Sequence, residues 1–165
     1  MPFVIKWVTP INGINKPLGL VTPVGKLAIT RCQDMIVCTD WVSDFAPDTV
    51  FEHPILDALN GYWHQPNRNI PIQLLNQGSV YRHRVWVALT QIPFATTRRY
   101  GQLASQLSSG ARAVGNACRD NPYPFIIPCH RVIAAQSLGG YCGQLSGERF
   151  TIKQNLLAFE ANYQA

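Results

Sequence analysis

Residues 121–132 read NPYPFIIPCHRV, and this stretch organises the second half of the chain. Pro122 and Pro124 end the helix predicted before them, because the residue that precedes a proline is pushed out of the helical region. The apolar segment that follows, residues 125–127, is predicted to be buried. It leads into Cys129 and His130, so a thiol and an imidazole stand side by side at the end of a buried segment.

Two short segments upstream of this stretch predict helices, Tyr100–Leu107 and Ala111–Asp120. Ser108-Ser109-Gly110 separates them, and Ser109 is a suitable N-cap for the second helix. Two short helices across a three-residue turn that contains glycine are typical of a helix-turn-helix. Any antiparallel helix pair has a similar pattern, so the spacing alone does not identify a DNA-binding protein.

The second of these helices is rich in small residues. Ala111, Ala113 and Gly115 allow its backbone to approach a neighbour closely, and that neighbour is either another helix or a DNA groove. In the second case Arg112 is the long side chain that projects from the helix. The residues themselves leave both explanations open.

The remainder of the second half predicts two more helices and a loop. Val85, Leu89 and Ile92 place one helix at Tyr81–Gln91, and the last helix runs from about Phe150 to Tyr163. A glycine-rich loop, Ala134 to Leu145, precedes that last helix.

The first half predicts β-structure. Three strands separated by turns form an antiparallel meander: Leu18–Thr22, Lys26–Arg31 and Met35–Thr39. A helix over Glu52 to Gln65 and a break over Pro66 to Pro71 follow. A polar linker at residues 76–79 divides the chain into a β-sheet and helix domain, 1–79, and a helical domain, 80–165. The fold class is therefore α+β.

Composition excludes several classes of protein. Only 14% of the 165 residues are charged, which excludes a disordered chain, and no run of eighteen apolar residues could span a membrane. Five cysteines, an odd number without a C-x-x-C pair, argue against a disulfide framework. We expect a cytoplasmic monomer without a signal peptide.

Charge is distributed unevenly along the chain. Residues 1–80 contain five Lys and Arg against six Asp and Glu, whereas residues 81–165 contain nine against three. A basic second half favours a polyanionic partner for that half. A merely solvated basic surface would have the same composition.

Cys129 is the candidate nucleophile. Cysteine reacts as the thiolate, so its pKa is expected to fall, and His130 is the adjacent base. Three arginines of the same half could supply positive charge: Arg112, Arg119 and Arg131. Three other interpretations are a cysteine of the core, a structural histidine and a Cys-His metal site. No further metal ligands cluster nearby in the sequence.

Glu160 is the candidate third group. It lies near the C-terminal end of its helix, where the helix dipole disfavours a carboxylate, and it shares a face with Leu156 and Leu157. A carboxylate that breaks two local rules in this way is expected at a functional site.

From about Val85 to Glu160 the chain resembles the O6-alkylguanine-DNA alkyltransferases, also called methylated-DNA–protein-cysteine methyltransferases. The similarity lies in motifs that occur in the family's order: Tyr100-Gly-Gln-Leu-Ala, Ala111-Arg-Ala-Val-Gly, Asn121-Pro, Ile127-Pro-Cys-His-Arg-Val, Gly140-Tyr, and Lys153 with Leu156-Leu157 and Glu160. The first half matches only at Thr22-Pro23-Val24-Gly25 and Trp63-His64-Gln65-Pro66.

The resemblance implies a ribonuclease-H-like first domain and a winged-helix-like helix-turn-helix in the second. It implies repair of double-stranded DNA without a cofactor: the alkyl group of O6-alkylguanine, or of O4-alkylthymine, moves irreversibly to Cys129, once per molecule. His130 would take the thiol proton through a water molecule, Glu160 would orient His130, and Asn121 would tie the helix-turn-helix to the active segment.

The resemblance also implies how the lesion is reached. Arg112, on a helix that inserts Ala111, Ala113 and Gly115 into the minor groove, would fill the gap left by a base flipped out of the duplex. Tyr100 would contact that nucleotide and assist guanine departure. The pocket would comprise the backbone of Cys129 and Val132, with Tyr141, Cys142 and Gly143 as its lip.

Some features depart from the family pattern. The turn between the two helices is two residues shorter than expected, the segment from Cys142 to Ile152 is longer, and Cys142 stands where serine is frequent. Cys32 matches one ligand of the zinc found in some relatives, but we expect no required metal. Two alternative functions remain: a lesion-binding relative that does not react, and a cysteine hydrolase that uses Cys129, His130 and Glu160.

Overall fold

The structure is a computed structural model that describes residues 2–9 and 12–163. The chain divides into two compact units, Met1–Gln77 and Gly78–Ala165. The sequence had placed the boundary after residue 79.

The first unit is built on one five-stranded sheet in the order β1-β5-β4-β3-β2. Its strands are β1 Phe3–Val8, β2 Leu18–Thr22, β3 Gly25–Cys32, β4 Met35–Val42 and β5 Ile70–Leu75. The predicted meander is confirmed, because β2, β3 and β4 pair antiparallel in sequence order. Two strands that the sequence analysis did not predict complete the sheet, since β5 lies parallel to both β1 and β4.

The predicted break over Pro66 to Pro71 was wrong at its end, because β5 begins at Ile70. Pro71 pairs with Val4 of β1, whereas the pairing of β5 with β4 involves only Gln73 and Leu74. A proline lacks an N–H for the ladder, and it is accommodated where one side of the strand is not paired. β1 was missed because its partner lies more than sixty residues along the chain, and local periodicity does not report such pairing.

Helix α1, Pro54–His64, covers the sheet with a buried face of five side chains: Ile55, Leu56, Leu59, Tyr62 and Trp63. Pro54 occupies the first turn, where its missing N–H costs no hydrogen bond. His53 is the N-cap, and its Nδ1 accepts from the Ile55 amide at 3.2 Å. The helix therefore begins two residues later than predicted from Glu52.

The second unit contains four helices among its described residues: α2 Val80–Thr90, α3 Tyr100–Gln106, α4 Ala111–Arg119 and α5 Glu148–Asn162. Two short strands, β6 Arg98–Arg99 and β7 Val132–Ile133, pair parallel to each other. A single 3₁₀ turn, Cys129–Arg131, precedes β7. Sheet and helices together confirm the α+β class.

Helix α2 braces α3 and α4. The Trp86 indole N–H donates to the Ala117 carbonyl in the last turn of α4 at 2.8 Å, and Arg84 donates to the Leu107 carbonyl at the end of α3 at 3.1 Å. Carbonyls at a helix end have no partner within the helix, so these bonds satisfy them and fix both ends. Ser109, predicted as the N-cap of α4, is not the cap: its hydroxyl bonds Tyr81, and Gly110 takes the cap position.

None of the described helices is both long enough and apolar enough to cross a membrane.

The packing of β2 generates a testable prediction at Gly19. A Cβ atom at this position would approach Thr49, Phe51 and Phe45 to 2.7, 2.8 and 2.9 Å. We expect Gly19→Ala to destabilise the first unit by about 1–3 kcal/mol, as overpacking typically does. Denaturant unfolding measures the change.

Gly61→Ala is the matched control in the same unit. Its Cβ would meet Ile70 at an ordinary 3.5 Å inside α1, so we expect stabilisation of about 0.8–1.0 kcal/mol from helix propensity. A Gly19→Ala protein as stable as the parent would contradict the close packing at β2.

Candidate active site

Cys129 sits on the 3₁₀ turn with only 4% of its surface exposed. Asn121, two residues beyond the end of α4, donates from Nδ2 to Cys129 Sγ at 3.2 Å and to the Ile127 carbonyl at 3.0 Å. Its Oδ1 accepts from the Tyr123 amide at 2.9 Å. One buried amide side chain thus joins the end of α4 to the segment that carries the thiol.

His130 and Glu160 are brought together as the sequence analysis expected. His130 is fully buried, and its Nε2 lies 2.6 Å from Glu160 Oε1. Arg131 binds the same carboxylate, with Nε 2.9 Å from Oε2 and Nη2 3.0 Å from Oε1, and its Nη1 donates to the Ile92 carbonyl at 2.9 Å. The expectation that Arg131 supplies positive charge to the thiol was wrong, because its guanidinium is committed to Glu160.

The protonation states in this cluster follow from burial and pairing. Burial alone would raise the pKa of Glu160, but hydrogen bonds from His130 and Arg131 lower this pKa to about 2. Burial lowers the pKa of His130 despite the opposing effect of Glu160, so the imidazole is neutral near pH 7. An ionised carboxylate only accepts, so Nε2 carries the proton and Nδ1 is an acceptor.

His130 Nδ1 is therefore a buried acceptor, and it has no hydrogen-bond partner among the described residues. Buried polar atoms in this situation are commonly satisfied by a water molecule or by a ligand.

The pKa of Cys129 is raised, not lowered as the sequence analysis expected. Burial raises it, and the smaller opposing effects of Asn121 and Lys153 do not offset that burial. Arg112 and Arg119, two of the proposed cations, are exposed. The free protein thus holds Cys129 as a neutral thiol.

Cys129 lines a cavity of about 370 Å³. Its other lining residues come from the start of α3, from α4 and from the glycine-rich loop: Tyr100, Gly115, Cys118, Arg119, Gly139, Gly140, Tyr141, Cys142, Gly143 and Leu145. The cavity collects the predicted residues Tyr100, Gly115, Tyr141, Cys142 and Gly143. Val132, Ala111, Arg112 and Ala113 are not among its lining residues, and Cys118 was not predicted.

The lip of the cavity is a tight turn. Tyr141 and Gln144 exchange two backbone hydrogen bonds, 2.8 and 2.9 Å, around Cys142 and Gly143. Both turn residues have positive φ, 48° and 80°. Cys142 therefore has a backbone conformation that residues other than glycine rarely adopt.

Tyr100 remains a hydrogen-bond donor in this cavity. Burial raises its pKa, and the nearby cysteines Cys118 and Cys129 add to the effect. The phenol is accordingly protonated at neutral pH and can donate a hydrogen bond to an acceptor atom of a molecule bound in the cavity.

Lys153 was quoted only as part of the resemblance, and the structure gives it a role. Its ammonium group is buried on α5 and donates to three carbonyls, Val132 at 2.6 Å, Leu138 at 2.6 Å and Gly140 at 2.9 Å. Burial lowers the pKa of Lys153 to about 8, so most of it is charged at pH 7 and three donors meet three acceptors. Lys153 thereby pins the glycine-rich loop. A lysine on the apolar face of α5, three residues before Leu156, is the sequence feature that could have indicated a buried role for Lys153.

In the described part of the chain, no group of three or more His, Cys, Asp or Glu residues is arranged so that it could hold a metal ion. Cys32, the residue that matches a zinc ligand of some relatives, is buried with its Sγ 3.7 Å from the Asn12 carbonyl.

Comparison with known proteins places this site in a family. Residues 80–162 match the family model described as the 6-O-methylguanine DNA methyltransferase DNA-binding domain. A methylated-DNA–protein-cysteine methyltransferase of Mycobacterium bovis is 36% identical, over 82% of this chain and 86% of the relative. The human protein of the same name is 33% identical, over 89% and 81% of the two chains.

Solved structures agree with the sequence relatives. The crystal structure of Mycobacterium tuberculosis O6-methylguanine methyltransferase has a TM-score of 0.76 and 28% identity, and covers 93% of this chain and 96% of that chain. A crystal structure of the Mycobacterium tuberculosis protein OGT in complex with DNA has a TM-score of 0.73 and 31% identity, over 89% and 93%. On these grounds, and on the buried cysteine and histidine motif that it carries, the chain belongs to the methylated-DNA–protein-cysteine methyltransferase family.

Proposed function

We propose that this protein reverses alkylation of double-stranded DNA by moving the alkyl group from O6 of guanine, or O4 of thymine, to Cys129 Sγ. One observation carries the proposal: Cys129 lines a cavity whose wall includes Gly115, Cys118 and Arg119 of α4, the second helix of the helix-turn-helix. The helix expected to contact DNA thus also borders the space in which the thiol would react. Relatives whose names state this activity support the assignment.

The first chemical requirement is to remove the thiol proton. Because burial raises the pKa of Cys129, a base must accept the proton as the reaction proceeds. His130 Nδ1 is the available buried acceptor, and a water molecule in the cavity would carry the proton to it. Glu160 would stabilise the imidazolium that forms, since its carboxylate lies 2.6 Å from Nε2.

Alkyl transfer then exchanges one bond for another. The S–C bond forms as the C–O6 bond breaks, and the electron pair of that bond stays on the guanine. The guanine takes up a proton as it leaves, and the protonated Tyr100 would stabilise its developing negative charge by hydrogen bonding. The backbone of Cys129 and Val132 would recognise the guanine edge; the Val132 carbonyl keeps a second lone pair beside its bond to Lys153.

The lesion must leave the base stack before a buried thiol can reach it, at a cost of a few kcal/mol. Arg112 is suited to fill the gap, since it is exposed on the first turn of α4 and its side chain makes no hydrogen bond or ion pair with described residues. Ala111 and Ala113 flank it and permit close approach to the minor groove. Little sequence can be distinguished in that groove, which suits a repair protein.

Because the thiol would attack the sp3 carbon of the alkyl group, each protein molecule would react only once. The product is a thioether, which water does not cleave as it cleaves the thioester of a cysteine hydrolase and which does not exchange as a disulfide does. The cysteine itself distinguishes the chain from lesion-binding relatives that do not react.

Stoichiometry tests the proposed function directly. After incubation with excess DNA that contains O6-methylguanine, we expect one added methyl group per molecule, on the peptide that contains Cys129. Mass spectrometry measures it, and Cys129→Ser should gain none. Turnover of many lesions per molecule, or methylation of Cys118 or Cys142 instead, would overturn the mechanism.

Glu160→Gln should slow alkyl transfer at least roughly tenfold, because a neutral amide cannot stabilise an imidazolium as a carboxylate does. DNA affinity should remain nearly unchanged. Single-turnover kinetics beside a binding titration separates the two. Glu148→Gln, at an exposed position on the same helix, is the control and should transfer at the parental rate; a parental rate for Glu160→Gln would reduce Glu160 to a structural role.

Arg112→Ala should slow repair of duplex DNA far more than reaction with free O6-benzylguanine, since a free base needs no extrusion. Rates on both substrates are compared for each protein. Arg68→Ala removes an equal charge from the first unit and should affect neither substrate. Equal losses on the two substrates in Arg112→Ala would argue against a role in extrusion.

A further inference from the structure

The turn that follows α2, residues 92–95, contacts both members of the buried Arg131–Glu160 pair. The Ile92 carbonyl accepts from Arg131 Nη1 at 2.9 Å, and the Ala95 amide donates to Glu160 Oε2 at 3.0 Å. The Phe94 ring lies against the Arg131 guanidinium, 5.7 Å from its centroid. The turn thus contacts the Arg131 cation through Ile92 and Phe94, and it contacts the Glu160 anion through Ala95.

Ala95 holds an unfavourable conformation to make its contact. Its φ is 58°, in the left-handed region that is unfavourable for a residue with a Cβ atom. Its side chain is exposed, so side-chain packing does not account for the conformation. The backbone N–H of Ala95 is the group that contacts Glu160.

Phe94 anchors the turn to α5. Its ring meets Phe159 edge-on with centroids 6.4 Å apart and Tyr163 at 5.9 Å. Phe159 and Tyr163 lie on either side of Glu160 in sequence, so these ring contacts tie the turn to the end of α5 that carries the carboxylate.

The carboxylate of Glu160 is consequently held at both oxygens. Oε2 accepts from Ala95 and from Arg131 Nε, whereas Oε1 accepts from Arg131 Nη2 at 3.0 Å and lies 2.6 Å from His130 Nε2. The two bonds from Arg131 already restrain both oxygens, and the Ala95 N–H adds a donor from a different segment that resists movement of the Arg131–Glu160 pair as a unit away from His130. Small losses of alignment between reacting groups lower rates steeply.

We propose that the 92–95 turn is a positioning element for proton transfer, in which the Ala95 N–H fixes Glu160 Oε2 so that Oε1 stays aligned with His130. This inference rests on the proposed function, since it assigns the turn to the proton acceptor of Cys129. Ala95 is then a positioning residue and not a catalytic one.

An amide-to-ester replacement at residue 95 tests the proposal. Incorporating lactic acid in place of Ala95 replaces the donor N–H with an ester oxygen and retains the methyl side chain. We expect the first-order rate constant of methyl transfer to fall roughly tenfold, as loss of a hydrogen bond to a charged group implies, while the half-saturating DNA concentration stays the same. The 2.6 Å hydrogen bond is expected to place the His130 Nε2–H proton resonance far downfield in the parent, and this resonance should move upfield in the ester.

The matched control is the α-hydroxy acid analogue of threonine, 2,3-dihydroxybutanoic acid, in place of Thr96, which keeps the threonine side chain. It deletes an N–H from the same turn, but one that bonds the Pro93 carbonyl at 3.2 Å, and it should leave both rate and resonance unchanged. Two ordinary point mutants of Ala95 supplement the ester experiments. Ala95→Val, in which a β-branched side chain disfavours positive φ, should slow transfer, and Ala95→Gly, which keeps the N–H and the turn, should not.

Two results would overturn the positioning role: a parental rate and resonance in the residue-95 ester, or the same losses in the residue-96 ester. Failure of the proposed function would look different. The parent itself would then transfer no methyl group, while the resonance of His130 would still report whether Ala95 aligns the carboxylate.

Discussion

The buried carboxylate of Glu160 is the group on which the second unit depends. It accepts hydrogen bonds from His130, Arg131 and Ala95, which belong to two segments distant from α5 in sequence. A buried charge without partners costs several kcal/mol, so the turn after α2, the 3₁₀ turn and α5 must assemble together to satisfy it. The same requirement fixes the orientation of the His130 imidazole through its contact with Glu160.

A second buried charge on the same helix organises the other side of the site. Lys153 donates to the carbonyls of Val132, Leu138 and Gly140, and so holds the glycine-rich loop that walls the cavity. Helix α5 thus presents a cation to the loop and an anion to the histidine. Cys129 lies between these two charged groups, and burial raises its pKa, so it is a neutral thiol in the free protein.

The DNA-facing part of the unit is coupled to this site by packing. α2 fixes the ends of α3 and α4 through Trp86 and Arg84, and Asn121 continues from the end of α4 to the Cys129 thiol. These hydrogen bonds therefore form a continuous connection from α2 through α4 to the Cys129 thiol.

The sequence by itself determined the Cys129–His130 pair, the two helices before it, the meander of β2 to β4 and the anomalous Glu160, because each depends on local spacing or on adjacency along the chain. It could not determine the pairing of Phe3 with Ile70, since that register joins distant segments. Only the tertiary structure decided that Arg131 turns to Glu160 and that Ala95 supplies an amide donor. It also decided that burial raises the pKa of Cys129, because pKa direction depends on which groups surround a side chain and on how much water they exclude.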